Sequence, residues 1–256
     1  MELLRLIFLA QTLLVTSSYA QVRVVDFSGG SSSSDGWKNI NTATFPGFGR
    51  FPGPSAWLNP MESNAANSGD AQIFRAAGSG VGGGPFVSGS SIYFGDSNPV
   101  HLPNVFGGTL RVSDPTPLSG LQTLVFQIQI GEVLGHDFFD PTGAPGLKIN
   151  GGSSMVTPLF AGVVDRFQDG FFTSPATGLP EPVYVNTWGY QWDVSTFGPI
   201  SSFTIEFSGV THAQIYELQL DQSSQLFAAA LIPEPSVWSL LLAAALAGCM
   251  RRKSRS

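Results

Sequence analysis

The stretch LQTLVFQIQIGEVLG, residues 121–135, decides the fold class because apolar and polar side chains alternate along it. Successive side chains of a β-strand point to opposite faces, so this period of two predicts a half-buried strand. One face carries Leu124, Phe126, Ile128 and Ile130, and the other carries Val125, Gln127 and Gln129. A strand of this kind needs partners that cover its apolar face.

Further period-two stretches follow along the chain, and no convincing amphipathic helix lies between residues 21 and 221. In ISSFTIEFSG (200–209), three apolar side chains alternate with polar ones. In THAQIYELQLDQ (211–222), we expect Tyr216, Leu218 and Leu220 to lie opposite Ile215, Glu217 and Gln219. Shorter candidate strands are VRVVDF (22–27), SSIYFGD (90–96), GTLRVSD (108–114), LKING (147–151) and EPVYVNTWGYQW (181–192).

Many short strands separated by Gly, Pro, Asn and Asp predict an all-β fold, namely an antiparallel β-sandwich of jelly-roll type. We expect one sandwich domain over residues 21–226. Two Gly/Ser-rich stretches, 28–36 and 78–90, are typical of loops. The Pro- and Gly-rich stretch 39–68 predicts irregular packing.

The charge balance argues against nucleic acid as a partner. Only 12% of the residues are charged. Between residues 21 and 232 there are 16 acidic and 7 basic residues, a net charge of −9. Such a surface repels phosphate backbones, which proteins bind through Lys and Arg. The single cysteine, Cys249, excludes a disulfide framework within the chain.

The N-terminal segment, MELLRLIFLAQTLLVTSSYAQ, predicts a secretory signal over residues 1–20. Arg5 supplies a positive start, residues 6–15 form an apolar helix, and cleavage is expected between Ala20 and Gln21. The expected partners are the Sec export machinery and signal peptidase. A buried first helix of the domain is the alternative interpretation.

The C-terminal segment, IPEPSVWSLLLAAALAGCMRRKSRS, contains an apolar run over residues 237–250. As a helix these 14 residues extend about 21 Å, less than the roughly 30 Å of a bilayer core. The run therefore predicts a short transmembrane helix that tethers the domain. The basic residues that follow are expected to stay cytoplasmic, so that the domain lies outside. They are Arg251, Arg252, Lys253 and Arg255.

This tail resembles the PEP-CTERM sorting signal of Gram-negative bacteria: Pro233, Glu234 and Pro235 are followed by the short apolar helix and the basic cluster. The resemblance covers residues 233–256, and residues 227–232 become a linker. It implies that an exosortase recognises and removes the tail, and that the protein reaches the cell envelope, the cell surface or an exopolysaccharide matrix. A simple C-terminal anchor is the alternative. The body is loosely similar, in QWDVS and HAQIYELQLDQ, to uncharacterised sandwich domains that accompany this signal, which fixes no activity.

Three aromatic residues, Trp188, Tyr190 and Trp192, fall on one face of a predicted strand. They are candidates for stacking against sugar rings, and the alternative places them in the core, which the polar residues between them favour.

Asp137 and Asp140 are candidate calcium ligands because calcium binds carboxylate oxygens, but the sequence favours ordinary turn chemistry as the explanation for both. No other cofactor is predicted, and His101, His136 and His212 show no metal-ligand spacing.

The sequence favours a structural or adhesive protein over an enzyme. A carbohydrate-binding module is the first alternative, with exopolysaccharide as a partner. A polysaccharide-degrading enzyme is the second, for which Glu132, Glu206 and Glu217 are the carboxylates to test.

Overall fold

A computed structural model describes most of the body of the chain. The described residues are 22–49, 57–66, 68–76, 84–95, 105–132, 138–139, 144–173 and 178–227, with Glu132 described for its backbone alone. The predicted signal helix and C-terminal helix lie outside these ranges. The described ranges form twelve β-strands and no α-helix, and they contain no apolar helix of membrane-spanning length.

The strands form two antiparallel sheets, as the all-β prediction requires. The first sheet contains β1 (Ser32–Trp37), β4 (Gly84–Val87), β5 (Ile92–Gly95), β7 (Thr123–Glu132), β9 (Phe160–Thr173), β10 (Pro180–Asp193) and β12 (Gln214–Ser223). The second contains β2 (Met61–Glu62), β3 (Gln72–Arg75), β6 (Phe106–Asp114), β8 (Gly146–Ile149) and β11 (Phe203–Val210).

The strand order brings the two ends of the body together in the first sheet. The order is β4-β5-β12-β7-β10-β9. On one side of β12, β5 pairs with its first two residues and β1 pairs with residues 218–223. The second sheet has the order β2-β3-β6-β11-β8. Because β12 is enclosed by β1 on one side and β7 on the other, the late strand lies in the interior of the sheet.

The core lies between the sheets and confirms the predicted faces of the two best stretches. Leu124, Phe126, Ile128 and Ile130 of β7 are all buried there. From the opposite sheet come Phe203, Ile205 and Phe207, and the Phe126 and Phe207 ring centroids lie 5.9 Å apart. The two layers therefore form a β-sandwich held by interdigitating apolar side chains.

One predicted loop is a strand. The Ser- and Gly-rich stretch after Gly30 forms β1, because six residues pair with Leu218 to Ser223 of β12. Ser34 Oγ also donates to Asp221 Oδ1 at 2.6 Å, and the Trp37 side chain is fully buried in the core. Tertiary pairing thus overrides the low strand propensity of the composition. Residues 84–87, predicted as loop, likewise form β4.

One predicted strand is not a strand. Residues 22–27 have no strand partner and cross the outer face of the first sheet. Gln127 Oε1 accepts a hydrogen bond from the Arg23 amide at 3.3 Å, and Asp221 Oδ2 accepts one from the Val25 amide at 3.2 Å. Val25 and Phe27 pack against a small apolar cluster that contains Val125. The second face of β7 is therefore covered as well, and its glutamines are buried.

Candidate functional site

A β-bulge in β12 places two neighbouring side chains on the outer face of the first sheet. Ile215 pairs with Ile130, but Glu217 pairs with Gln129, so Tyr216 is the extra residue. The expectation that Tyr216 shares a face with Leu218 is therefore wrong. Ile215 and Leu218 both enter the core, while Tyr216 and Glu217 both line the groove described below. Bulges commonly redirect side chains in this way next to binding sites.

The outer-face groove encloses a volume of about 350 Å³. This is the lower end of the range found for pockets that bind small ligands. Rings, amides and carboxylates converge on it from β12, from β9 and from the turn after β1. The groups that matter here are those of Tyr216, Glu217, Phe167, Asp169, Asn39 and Asn41.

Backbone features hold the groove open. Gly131 lies beneath the Tyr216 ring, and a Cβ atom at this position would come within 2.8 Å of the ring. The absence of a side chain therefore lets the ring lie close to the sheet. Asn39 adopts a positive φ of 52°, a conformation that Asn tolerates better than most residues. This turn brings Asn39 and Asn41 to the rim.

The groove has an acidic character. Burial raises the pKa of the Glu217 carboxyl, and the charge of Lys38 partly opposes that shift. Glu217 Oε2 is buried and accepts no hydrogen bond from a described residue. Burial also raises the pKa of the Tyr216 phenol, and the charge of Asp169 adds to the effect. The groove lining contains no Lys or Arg among the described residues, so a neutral or cationic ligand fits it better than an anionic one.

The three aromatic candidates form a stacked ladder on the core side of β10. Tyr190 and Trp192 are 1% and 0% exposed, and Trp188 is half-buried against the core. The Trp188 and Tyr190 ring centroids lie 6.4 Å apart, and those of Tyr190 and Trp192 lie 5.8 Å apart. In this conformation neither Tyr190 nor Trp192 presents a ring face to a sugar in solvent. The Trp192 Nε1–H donates to the Val156 carbonyl at 3.1 Å, as a core indole requires.

Glu206 and Glu217, the two candidate hydrolase glutamates whose side chains are described, do not lie together. Glu206 lies on the outer face of the second sheet, where it pairs with Arg111 at 2.5 Å and Lys148 at 3.3 Å. Burial tends to raise its pKa, but the hydrogen bonds and charges of these two bases lower it. Glu217 lines the groove on the opposite side of the sandwich. The side chain of Glu132 is outside the described residues.

The remaining candidates are dispersed or lie outside the described ranges. His212 lies within the described ranges. Its Nδ1 is 2.6 Å from the Tyr93 hydroxyl oxygen, and the backbone φ of His212 is 67°. Over the ranges that are described, no three His, Cys, Asp or Glu side chains form a metal-ligand group. The sequence candidates outside the description are Asp137, Asp140, His101, His136, Ala20, Gln21, Pro233, Glu234, Pro235, Arg251, Arg252, Lys253 and Arg255.

Sequence patterns did not reveal the groove. Tyr216 and Glu217 both line the groove only because of the bulge. A regular strand would place these two neighbouring side chains on opposite faces of the sheet. Asn39 and Asn41 carry no motif. The only available signal was the Tyr–Glu pair at the point where apolar alternation in THAQIYELQLDQ changes phase.

Comparison with known proteins gives no assignment: no protein-family model, curated protein or solved structure matches this chain.

Proposed function

We propose that this chain is an exported bacterial envelope or exopolysaccharide-matrix protein that is sorted and C-terminally processed by an exosortase. The observation that carries the proposal is the order of three features in the tail: the Pro233–Glu234–Pro235 triplet, the apolar run and the basic cluster. The prolines disfavour helix, so the triplet presents an extended recognition element just outside the bilayer. The precursor is tethered in the inner membrane, and the Sec machinery and signal peptidase process its N-terminus.

The body has a structural or adhesive role in this proposal, and its strand order is that of a jelly roll. Supporting this, early and late strands join in one sheet, as the pairing of β1 with β12 shows. The proposed role is non-catalytic, and it is supported by the position of Glu206 and Glu217 on opposite outer faces, where the two carboxylates are too far apart to act on one bond.

Glycan contact is a second candidate function, and the outer-face groove favours it. Sugar rings bind to proteins through aromatic faces and through hydrogen bonds to amide and carboxylate groups. The groove offers the rings of Tyr216 and Phe167 beside Asn41, Glu217 and Asp169. Its acidic lining, on a body of net negative charge, selects neutral sugar units over uronates.

The sorting proposal is tested in the cells that make the protein. Cell fractions are probed for the wild-type chain and for a double variant in which Glu234 and Pro235 become Ala. A Ser254→Ala variant, which leaves the triplet and basic charges intact, is the matched control. We expect wild type and control in the envelope or matrix as a shortened form, and the double variant at full length in the inner membrane. Identical size and location for all three would contradict the proposal.

The groove is tested by retardation in gels that contain a neutral polysaccharide. We expect a panel of neutral glycans to include one that retards the wild type, and Tyr216→Ala to lose that retardation. Phe197→Ala is the matched control, because Phe197 is an exposed ring beyond the opposite end of β10. Equal retardation of both variants would remove the groove from the account, while retardation by uronates alone would contradict its selectivity.

A further inference from the structure

A second groove, here called the basic groove, lies on the outer face of the second sheet and encloses about 650 Å³. It is on the opposite side of the sandwich from the groove of Tyr216. Three of the seven basic residues between positions 21 and 232 line it, namely Arg75, Arg111 and Lys148. The one acid among its described lining residues is Glu206. The basic groove is therefore a local positive site on a body whose net charge is −9.

One carboxylate holds two of these bases side by side. Glu206 Oε2 accepts a hydrogen bond from Arg111 Nε at 2.5 Å, and Glu206 Oε1 accepts one from Lys148 Nζ at 3.3 Å. The strand register places Arg111 directly opposite Glu206, and Lys148 opposite Thr204 on the same face. The Arg111 side chain is 49% exposed, and its two terminal nitrogens form no hydrogen bond with a described residue. The planar fork of this guanidinium therefore remains available to a ligand.

The third base adds charge from the inner side of the same sheet. Arg75 pairs with the buried Leu110, so its side chain faces inward, and it is 5% exposed. It donates from Nη1 to the Pro85 carbonyl at 3.2 Å, while its Nε has no acceptor among the described residues. No described carboxylate forms an ion pair with Arg75. Its charge therefore adds to the positive potential of the basic groove.

An aromatic ring and two hydroxyls lie beside the bases. Phe74 of β3 is directly opposite Arg111 in the register and is 36% exposed. In the next row of the same face, Ser113 Oγ and Thr204 Oγ1 lie 2.9 Å apart. The indole N–H of Trp57, which also lines the groove, is buried without an acceptor among the described residues. The lining thus combines positive charge and unused donors with an apolar ring and hydroxyls.

We propose that the basic groove binds the carboxylate of a uronate unit in an acidic polysaccharide. The terminal nitrogens of Arg111 donate to the two carboxylate oxygens, since the guanidinium fork matches a carboxylate, and Lys148 adds a second charge. Phe74 packs against the sugar ring, while Ser113 and Thr204 exchange hydrogen bonds with its hydroxyls. Repulsion from the distant acids of the body is weak, because exposed charges more than about 8 Å apart are largely screened at physiological salt.

The same lining is a poorer match for nucleic acid. A chain of phosphates is bound through a row of Lys and Arg that neutralises several of them, whereas here only Arg111 and Lys148 lie on the open face. One pair of bases beside a ring and hydroxyls suits a single carboxylate on a sugar. The choice of a polysaccharide as the carrier of that carboxylate rests on the proposed function, but the anion site itself does not.

Native gels that contain polygalacturonate test the proposal, with each mobility compared with that in a gel without polymer. We expect retardation of the wild type that falls as salt rises. Methyl-esterified polygalacturonate, which has the same sugars without the charge, should give none. Arg111→Gln combined with Lys148→Gln should lower the affinity about tenfold or more. Arg23→Gln combined with Arg166→Gln is the matched control, because it removes the same charge from two exposed bases elsewhere on the chain.

Thr204→Asp is a second variant, since the double variant leaves Glu206 without its partners. It places an acid beside Lys148 while both bases and Glu206 remain, and it should also lose the retardation. Tyr216→Ala should keep it, which separates failure of the basic groove from failure of the neutral-sugar groove.

The proposal would be overturned by a wild type that polygalacturonate does not retard, or by equal retardation of the double variant, Thr204→Asp and the control. Equal retardation by the methyl ester would also overturn it, because the carboxylate would then play no part. Tighter binding of the wild type to single-stranded DNA than to polygalacturonate would assign the groove to phosphate chains instead.

Discussion

Replacing Asp35 with Asn should stabilise the fold, and increasingly so as the pH rises. Burial, with the charges of Asp114, Asp70 and Asp221 adding to it and only the Ala71 amide opposing, raises the pKa of Asp35 from 3.8 to about 7. A raised acid pKa means that the folded chain holds the proton more tightly than the unfolded chain does. Stability is therefore lost as the pH rises from about 4 to 7, and the loss is complete above 7.

The magnitude follows from the size of the shift. At 1.36 kcal/mol per pKa unit, the raised pKa of Asp35 costs the fold about 4 kcal/mol at pH 8 and less than about 1 kcal/mol at pH 4. Asn has the same shape without the charge. We therefore expect its free energy of unfolding to exceed that of wild type by up to about 4 kcal/mol at pH 8, and by little at pH 4.

Urea unfolding at the two pH values, followed by circular dichroism, measures this difference. Asp26→Asn is the control for the loss of an exposed acid. The reasoning depends on the difference between wild type and variant, since Asp221, whose pKa is also raised, to about 6, titrates in both. A stability difference that is the same at pH 4 and pH 8 would refute it, as would a variant less stable than wild type at pH 8.

Three further changes test the packing. Gly107→Ala should lower the free energy of unfolding by about 1–3 kcal/mol, because its Cβ would lie 2.7 Å from the Val210 backbone; Gly89→Ala, with nothing within 4 Å, should change it by less than about 0.5 kcal/mol. Trp192→Phe should cost about 2 kcal/mol through lost volume and the lost hydrogen bond to Val156, and no loss in urea unfolding would contradict its core position. Glu206→Gln should cost below about 1 kcal/mol at pH 7 and progressively less as the pH falls through the acid range, because the ion pairs that lower the pKa of Glu206 stabilise the fold only while its carboxylate is ionised; a cost that does not change with pH would contradict the ion-pair reasoning.

The strands that were predictable are those whose alternation matches a single buried face. β7 and β11 have uninterrupted apolar alternation, and both lie within their sheets. β1 was missed because its stability comes from pairing with β12 and from the burial of Trp37, neither of which its Ser-rich composition shows. β9 was missed because most of its residues are exposed and a register shift beside Trp188 interrupts its alternation.

The outer-face groove and the burial of Asp35 were hidden from sequence reasoning for related reasons. Alternation placed Tyr216 with Leu218, and only the pairing register shows the extra residue that redirects it to the groove. Asp35 lies in a polar stretch of the sequence, where an acid is expected to be exposed. It is buried because residues 32–37 become an inner-facing strand near Gly69, a contact between segments that no local pattern encodes.

The most direct test of the sorting account is the mass of the C-terminal peptide of the protein recovered from its own cells. The account predicts a chain that ends near Pro233 to Pro235 and is found in the envelope or the matrix. A mature population that still carries the basic residues of positions 251–255 would mean that the tail is a permanent anchor, and would contradict exosortase processing.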